Sequence, residues 1–111
     1  MASRLNPYIS FKDNARQAME FYKSVFGGTL ALSTFGEFGA PDEESSDKIM
    51  HGILEADNGF TIMAADTPPG MEHKPGTNIA VSLSGEDATE LRGYWEKLSK
   101  DGTVAVPLEK Q

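Results

Sequence analysis

The sequence predicts an α+β domain built from a repeated strand–helix–strand unit, and three observations predict it. The chain has 111 residues, the size of one domain. Two apolar stripes with helical spacing recur 73 residues apart. Each stripe follows a strand-like segment, stops at a glycine and leads into another strand-like segment. With 39% hydrophobic and 24% charged residues, the composition is that of an ordinary globular protein able to bury one core.

The elements follow in order. Residues 5–11 read as a strand, with Pro7 near its start, where a missing N–H is tolerated. Asp13 or Asn14 offers a helix cap, and Ala15, Ala18, Met19, Tyr22, Val25 and Phe26 form the stripe of an amphipathic helix. Gly27-Gly28 ends that helix, because glycine enters left-handed backbone conformations without a side-chain penalty. Residues 29–38, rich in β-branched and aromatic side chains, predict a second strand. The acidic stretch 39–47 reads as an exposed loop. Residues 49–56 and 60–65 predict two strands joined by a tight turn at Asp57-Asn-Gly59. A loop with three prolines and two glycines follows, over 66–76.

A second unit then begins. Residues 78–83 predict a strand, and Ser84 with Asp87 three residues later gives a capping-box-like start. Ala88, Leu91, Trp95 and Leu98 carry the apolar stripe, Asp101-Gly102 stops it, and 103–107 predict another strand. Ala15, Ala18, Tyr22 and Val25 map onto Ala88, Leu91, Trp95 and Leu98 at the constant offset of 73, which points to a duplication. The first copy runs strand–helix–strand–strand–strand. The third strand of the second copy would begin near position 122, beyond Gln111, so the second module is expected to be cut short in this chain. The organisation is a single domain over 1–111, with module one at 4–66, a linker loop at 67–77 and a partial module two at 78–111.

Charge and composition exclude several functions. Seventeen acidic against ten basic residues give a net charge of −7, a field that repels phosphate backbones, so no nucleic-acid partner is expected. The absence of cysteine removes disulfides, thiolate metal sites and cysteine nucleophiles. No apolar run approaches the roughly 20 residues of a membrane span, and no signal-peptide core opens the chain. A cytoplasmic protein with no membrane partner is the expectation. No nucleotide-binding glycine fingerprint and no Gly-x-Ser-x-Gly elbow is present.

Five short motifs occur in order: Pro7-Tyr-Ile-Ser-Phe11, Ala18-x-x-Phe21-Tyr22, Phe26-Gly-Gly28, Met50-His51-Gly52 and Ile62-Met-Ala-Ala-Asp66. With the duplicated strand–helix pattern, they resemble the PhnB-like branch of the vicinal oxygen chelate superfamily, which also includes glyoxalase I, bleomycin-resistance proteins and extradiol dioxygenases. The resemblance covers essentially the whole chain. It implies paired βαβββ modules whose sheets enclose a cupped cavity, often across a homodimer. It also implies continuation past residues 106–111 into two closing strands. The branch often carries a 3-demethylubiquinone-9 3-methyltransferase label, but no glycine-rich loop lies where S-adenosylmethionine would sit against a strand end.

Laid onto this chain, the superfamily's metal-ligand positions fall on Pro7, Met63 and Asn78, with a fourth in the absent strand. Proline has no ligating side chain, and a thioether is a poor partner for Mg²⁺, Mn²⁺, Zn²⁺ or Fe²⁺. No metal and no other cofactor is therefore expected. The cavity face implied by the resemblance carries Ile9, Phe11, Thr61, Met63, Asn78 and Ala80. His51 could be an acid–base group or a polar contact in the cup, or a strand-end histidine bonded to its neighbours. Asp66 could meet a ligand hydroxyl or amine, or could start the following loop through an Asx-turn. Glu55 and Asp57 alternate with apolar neighbours as a half-solvated strand does, and His73 reads as solvated. Met63 and Met71 could line an adaptable pocket or fill the core.

The expected function is binding of a small apolar or aromatic molecule by a metal-free homodimer. The candidate ligand-binding residues are Ile9, Phe11, His51, Met63, Asp66 and Asn78, and no catalytic residue is assigned. The alternatives are a divalent-metal-dependent lyase, isomerase or dioxygenase using His51, Asp66 or Glu55, and a non-catalytic dimerisation module.

Overall fold

Strand β1, Tyr8–Phe11, opens the chain's regular structure. The structure is a computed structural model that describes residues 3, 5–38, 46–68, 70–76, 78–100, 102 and 104. Helix α1 (Ala15–Phe26) follows, then β2 (Thr29–Thr34), β3 (Ile49–Glu55), β4 (Thr61–Asp66) and helix α2 (Ala88–Ser99). The chain divides into two compact units, Met1–Asn78 and Ile79–Gln111.

The first unit is a four-stranded mixed sheet in the order β1-β4-β3-β2, with α1 packed on one face. β1 lies parallel to β4, while β2–β3 and β3–β4 are antiparallel. The core sits between helix and sheet. Met19 from α1 meets Leu54 and Ala64, all fully buried, and Phe11, Tyr22, Leu30, Leu32 and Ile62 pack around them. Removing such side chains from water supplies about 1.5–3 kcal/mol each for the larger ones.

Three details of this unit set its geometry. α1 ends as its glycines predict: Gly27 N–H donates to Lys23 O, and Gly27 and Gly28 have φ of +74° and +100°. The expected turn at Asp57-Asn-Gly59 joins β3 to β4, with Gly59 N–H donating to Ala56 O and Gly59 at φ +91°. A bulge in β3 breaks the alternation: Ser33 pairs with His51 but Thr34 pairs with Ile49. Ile49 thereby turns into the core, 3.7 Å from where a Cβ on Gly52 would stand.

β2 is shorter than the sequence predicts. It ends at Thr34 because Thr34 and Glu37 bond each other's backbone N–H groups reciprocally, which folds Gly36–Phe38 into a 3₁₀ turn. Most of the acidic stretch, 39–45, lies outside the described residues.

In the second unit, α2 begins at Ala88, one residue after Asp87, whose carboxylate accepts the Glu90 N–H at 3.1 Å. The cap is Asp87 rather than Ser84. Leu91, Trp95 and Leu98 are half-buried. The strand predicted at 78–83 does not form, and Ile79 and Val81 are exposed. A strand needs a partner for its backbone groups, and none is present among the described residues. The strand predicted at 103–107 lies outside the described residues except for Val104, which is in neither helix nor strand. No helix among the described residues is long and apolar enough to cross a membrane.

Candidate functional site

Because α1 covers one face of the sheet, the register of the strands decides what the other face presents. Tyr8 lies beside Met63, Met63 opposite Ile53, and Ile53 opposite Ala31. These four make a central apolar row across the uncovered face. Two residues along each strand, on the same face, stand Ser10, Ala65, His51 and Ser33. Two residues the other way, Thr61 pairs with Glu55 and Glu55 with Thr29. The face is thus banded along its strands: hydroxyls and an imidazole, then an apolar row, then hydroxyls and a carboxylate.

Tyr8 and His51 meet on this face. The Tyr8 hydroxyl lies 3.4 Å from His51 Nδ1, with ring centroids 5.9 Å apart. Which of the two groups donates follows the tautomer of the imidazole, since either ring nitrogen can carry the proton. Tyr8 is 52% exposed although it is a large aromatic residue. Beyond the carboxylate band the face runs into an open cleft of about 490 Å³, lined by Leu5, Asn6, Glu55, Gly59, Phe60 and Thr61.

The expected site residues separate into two groups. His51 and Met63 stand on the uncovered face, as does Thr61. Ile9 and Phe11 do not. Ile9 pairs with fully buried Ala64, and Phe11 packs on the Met19–Leu54–Ala64 core, so both point toward α1. Asn78 is exposed in the loop, off the sheet, and Ala80 is exposed in the second unit. Tyr8 and Ile53, which are not among the expected residues, also stand on the uncovered face, and the alternation Tyr8-Ile-Ser-Phe11 already separates a polar face from an apolar one.

Asp66 holds the fold together at the end of β4. Only 2% exposed, it accepts the Ala15 N–H at 2.9 Å through one oxygen and the Ile49 N–H at 2.8 Å through the other. It caps α1 from 51 residues away in sequence, where Asn14 makes no side-chain cap bond. It therefore ties α1, β3 and β4 rather than facing a ligand. His73 is half-buried instead of solvated: its Nδ1 lies 3.1 Å from the Thr67 hydroxyl, which donates to Phe11 O.

With the fold and this face established, comparison with known proteins assigns the chain. The family model described as 3-demethylubiquinone-9 3-methyltransferase matches residues 3–110. The chain belongs to this family. Among solved structures, protein PA1353 from Pseudomonas aeruginosa is similar at 30% identity and a TM-score of 0.88, over 99% of this chain and 82% of that one. The PhnB protein from Bacillus cereus shares the fold at 24% identity and a TM-score of 0.69, over 95% of this chain and 80% of that one. No curated protein matches the chain. The family is the PhnB-like branch of the glyoxalase superfamily, and its α+β fold is the one described above.

The PhnB-like sheet also tests the superfamily's metal site. At the implied positions stand Pro7, whose carbonyl accepts the Met63 N–H at 3.0 Å, Met63 and exposed Asn78. One amide oxygen and one thioether do not fit a hard divalent cation. Among the described residues, no three His, Asp or Glu side chains converge elsewhere to replace them.

Proposed function

We propose that the uncovered sheet face binds a small apolar or aromatic molecule without a metal ion, and that a second copy of the chain closes over it. The central row of Tyr8, Met63, Ile53 and Ala31, bordered on both sides by polar groups, carries this reading. Apolar walls with a few placed polar groups are the usual chemistry of small-molecule sites. Met63 adapts its shape to a flat ring, and its sulfur favours aromatic contact. The exposed Ile79 and Val81 support association of copies, since covering them removes apolar surface from water.

The methyltransferase activity in the family's description is not the one we propose. β1 runs into α1 through Lys12-Asp13-Asn14, without a glycine whose bare backbone could approach a bulky methyl donor. A metal-dependent reaction would need ligands other than those at the implied positions.

Native mass spectrometry of protein purified without chelator or affinity metal tests the proposal. A dimer of metal-free subunits is the expected result. One metal ion per subunit, lost on His51→Ala, would overturn the metal-free reading, and a monomer at micromolar concentration would overturn the closing copy.

A further inference from the structure

We propose that Asn58 is a spontaneous modification site, converting to aspartyl and isoaspartyl forms at a rate set by opening of the β3–β4 turn. This chemistry is independent of what the uncovered sheet face binds.

The reaction needs an asparagine whose side-chain carbon can be attacked by the backbone nitrogen of the next residue. The chain has four asparagines, and in three of them that nitrogen is blocked or crowded. Asn6 precedes Pro7, whose nitrogen carries no hydrogen to lose. Asn14 precedes Ala15, whose N–H is buried and donated to Asp66 at 2.9 Å. Asn78 precedes Ile79, whose β-branched side chain crowds the nitrogen. Asn58 precedes Gly59, which has no side chain, and both are exposed at the tip of the turn.

The turn both prepares and restrains the attack. Asn58 Oδ1 accepts the Phe60 N–H at 3.4 Å, which folds the amide back along the chain toward Gly59 N. A Cβ built on Gly59 would meet nothing within 4 Å, so the turn is open to water there. Against this, Gly59 N–H donates to Ala56 O at 3.0 Å, and a nitrogen held as a donor is a poor nucleophile. When that bond opens, hydroxide can take the proton. The nitrogen then bonds to Asn58 Cγ, the amide C–N bond breaks, and ammonia leaves with a proton from water. Water opens the resulting succinimide at either carbonyl. Cleavage at Cγ gives an aspartyl residue, and cleavage at the main-chain carbonyl gives an isoaspartyl residue whose backbone runs through Cγ. The isoaspartyl form puts an extra carbon inside the loop closed by Gly59 N–H and Ala56 O. That bond then no longer fits, and the β3–β4 register loses its pin beside the pair Glu55 and Thr61.

Mass spectrometry of the full chain, aged in mildly alkaline buffer and mapped by peptide, tests this. The mass should rise by about 1 Da as an amide becomes an acid. The change should map to Asn58 and give both products. It should be at least about tenfold faster there than at Asn6, Asn14 or Asn78, the ratio that a barrier lower by about 1.4 kcal/mol produces. The rate should rise with pH, because the attacking nitrogen must lose its proton, and should rise again in urea, which opens the turn. Asn58→Gln, which would have to close a larger ring, should keep its mass over the same period. Conversion at another asparagine as fast as at Asn58, an aspartyl product alone, or no conversion of the folded chain would overturn the site. Equal rates at Asn58 in buffer and in urea would overturn control by the turn.

Discussion

The two strand–helix copies share a sequence pattern and differ in what became of it. In the first, α1 buries Ala15, Met19 and Val25 against a four-stranded sheet, and the strand before it is paired. In the second, α2 has the same length of 12 residues but no buried side chain, and the strand-like segment before it stays unpaired with Ile79 and Val81 exposed. A helix closes its own hydrogen bonds and needs only a cap to form, whereas a strand exists only beside another strand. The same local pattern therefore yields a helix in both copies and a strand only where a partner is present. The first copy should depend on distant contacts, and the second on local ones.

The sharpest way to break the first copy is at Gly28. Its φ of +100° disfavours any side chain, and an added Cβ would stand against Glu55 O and 2.6 Å from Ala56 Cα, both backbone atoms that cannot swing aside. Gly28→Ala should cost about 3 kcal/mol or more and leave the first unit largely unfolded at ambient temperature. A denaturation midpoint within error of the parent chain's would contradict that geometry. Next in size is Leu54→Ala, expected at about 3 kcal/mol because Leu54 is fully buried in the helix–sheet core. The corresponding truncation on the other helix, Leu91→Ala, should cost about 1 kcal/mol or less, since Leu91 is only half-buried. Equal losses for the two leucines would mean that α2 has a cover in solution, such as a second copy.

The caps sharpen the same contrast. α2 is capped by its neighbour Asp87, whereas α1 is capped by Asp66, which also holds the first N–H of β3. Asp66→Ala should destabilise by about 2–3 kcal/mol, leaving two buried N–H groups unsatisfied. Asp87→Ala removes one exposed cap bond and should cost about 1 kcal/mol. Urea unfolding of the two variants measures the difference. The larger loss for Asp87 would reverse the assignment of distant and local control.

These contrasts also mark what the sequence could and could not show. The apolar stripe and glycine stop of α1, the four strands of the first copy and the turn ending at Gly59 were legible because each is specified by residues close in sequence. The unpaired 78–83 segment has the sequence of a strand because alternation reports which side chains suit a sheet, not whether a neighbour exists. The resemblance implies that Ile9 and Phe11 face a cavity, against their own pattern. Their apolar side chains belong to the helix side, and the exposed Tyr8 and Ser10 mark the other. His51 and Met63 kept their place on the uncovered face, but no local signal joins Tyr8 to His51, 43 residues away. The same holds for Asp66 and Ala15. A carboxylate that caps a helix from another strand cannot be distinguished in sequence from one that begins a loop.

The smallest effect tests the second copy from the opposite direction. Gly93 lies inside α2, where glycine lowers helix stability, and a Cβ there would meet open space. It corresponds to Glu20 in α1 at the offset of 73, a position with an ordinary helix former. If α2 is held mainly by its own backbone and cap, Gly93→Ala should stabilise it by about 0.5–1 kcal/mol. Hydrogen exchange should then slow in Ala88–Ser99 and stay unchanged in Ala15–Phe26. Faster exchange in α2 would mean that another surface approaches Gly93 too closely to admit a methyl group, and this helix would then owe its stability to a partner, as α1 does.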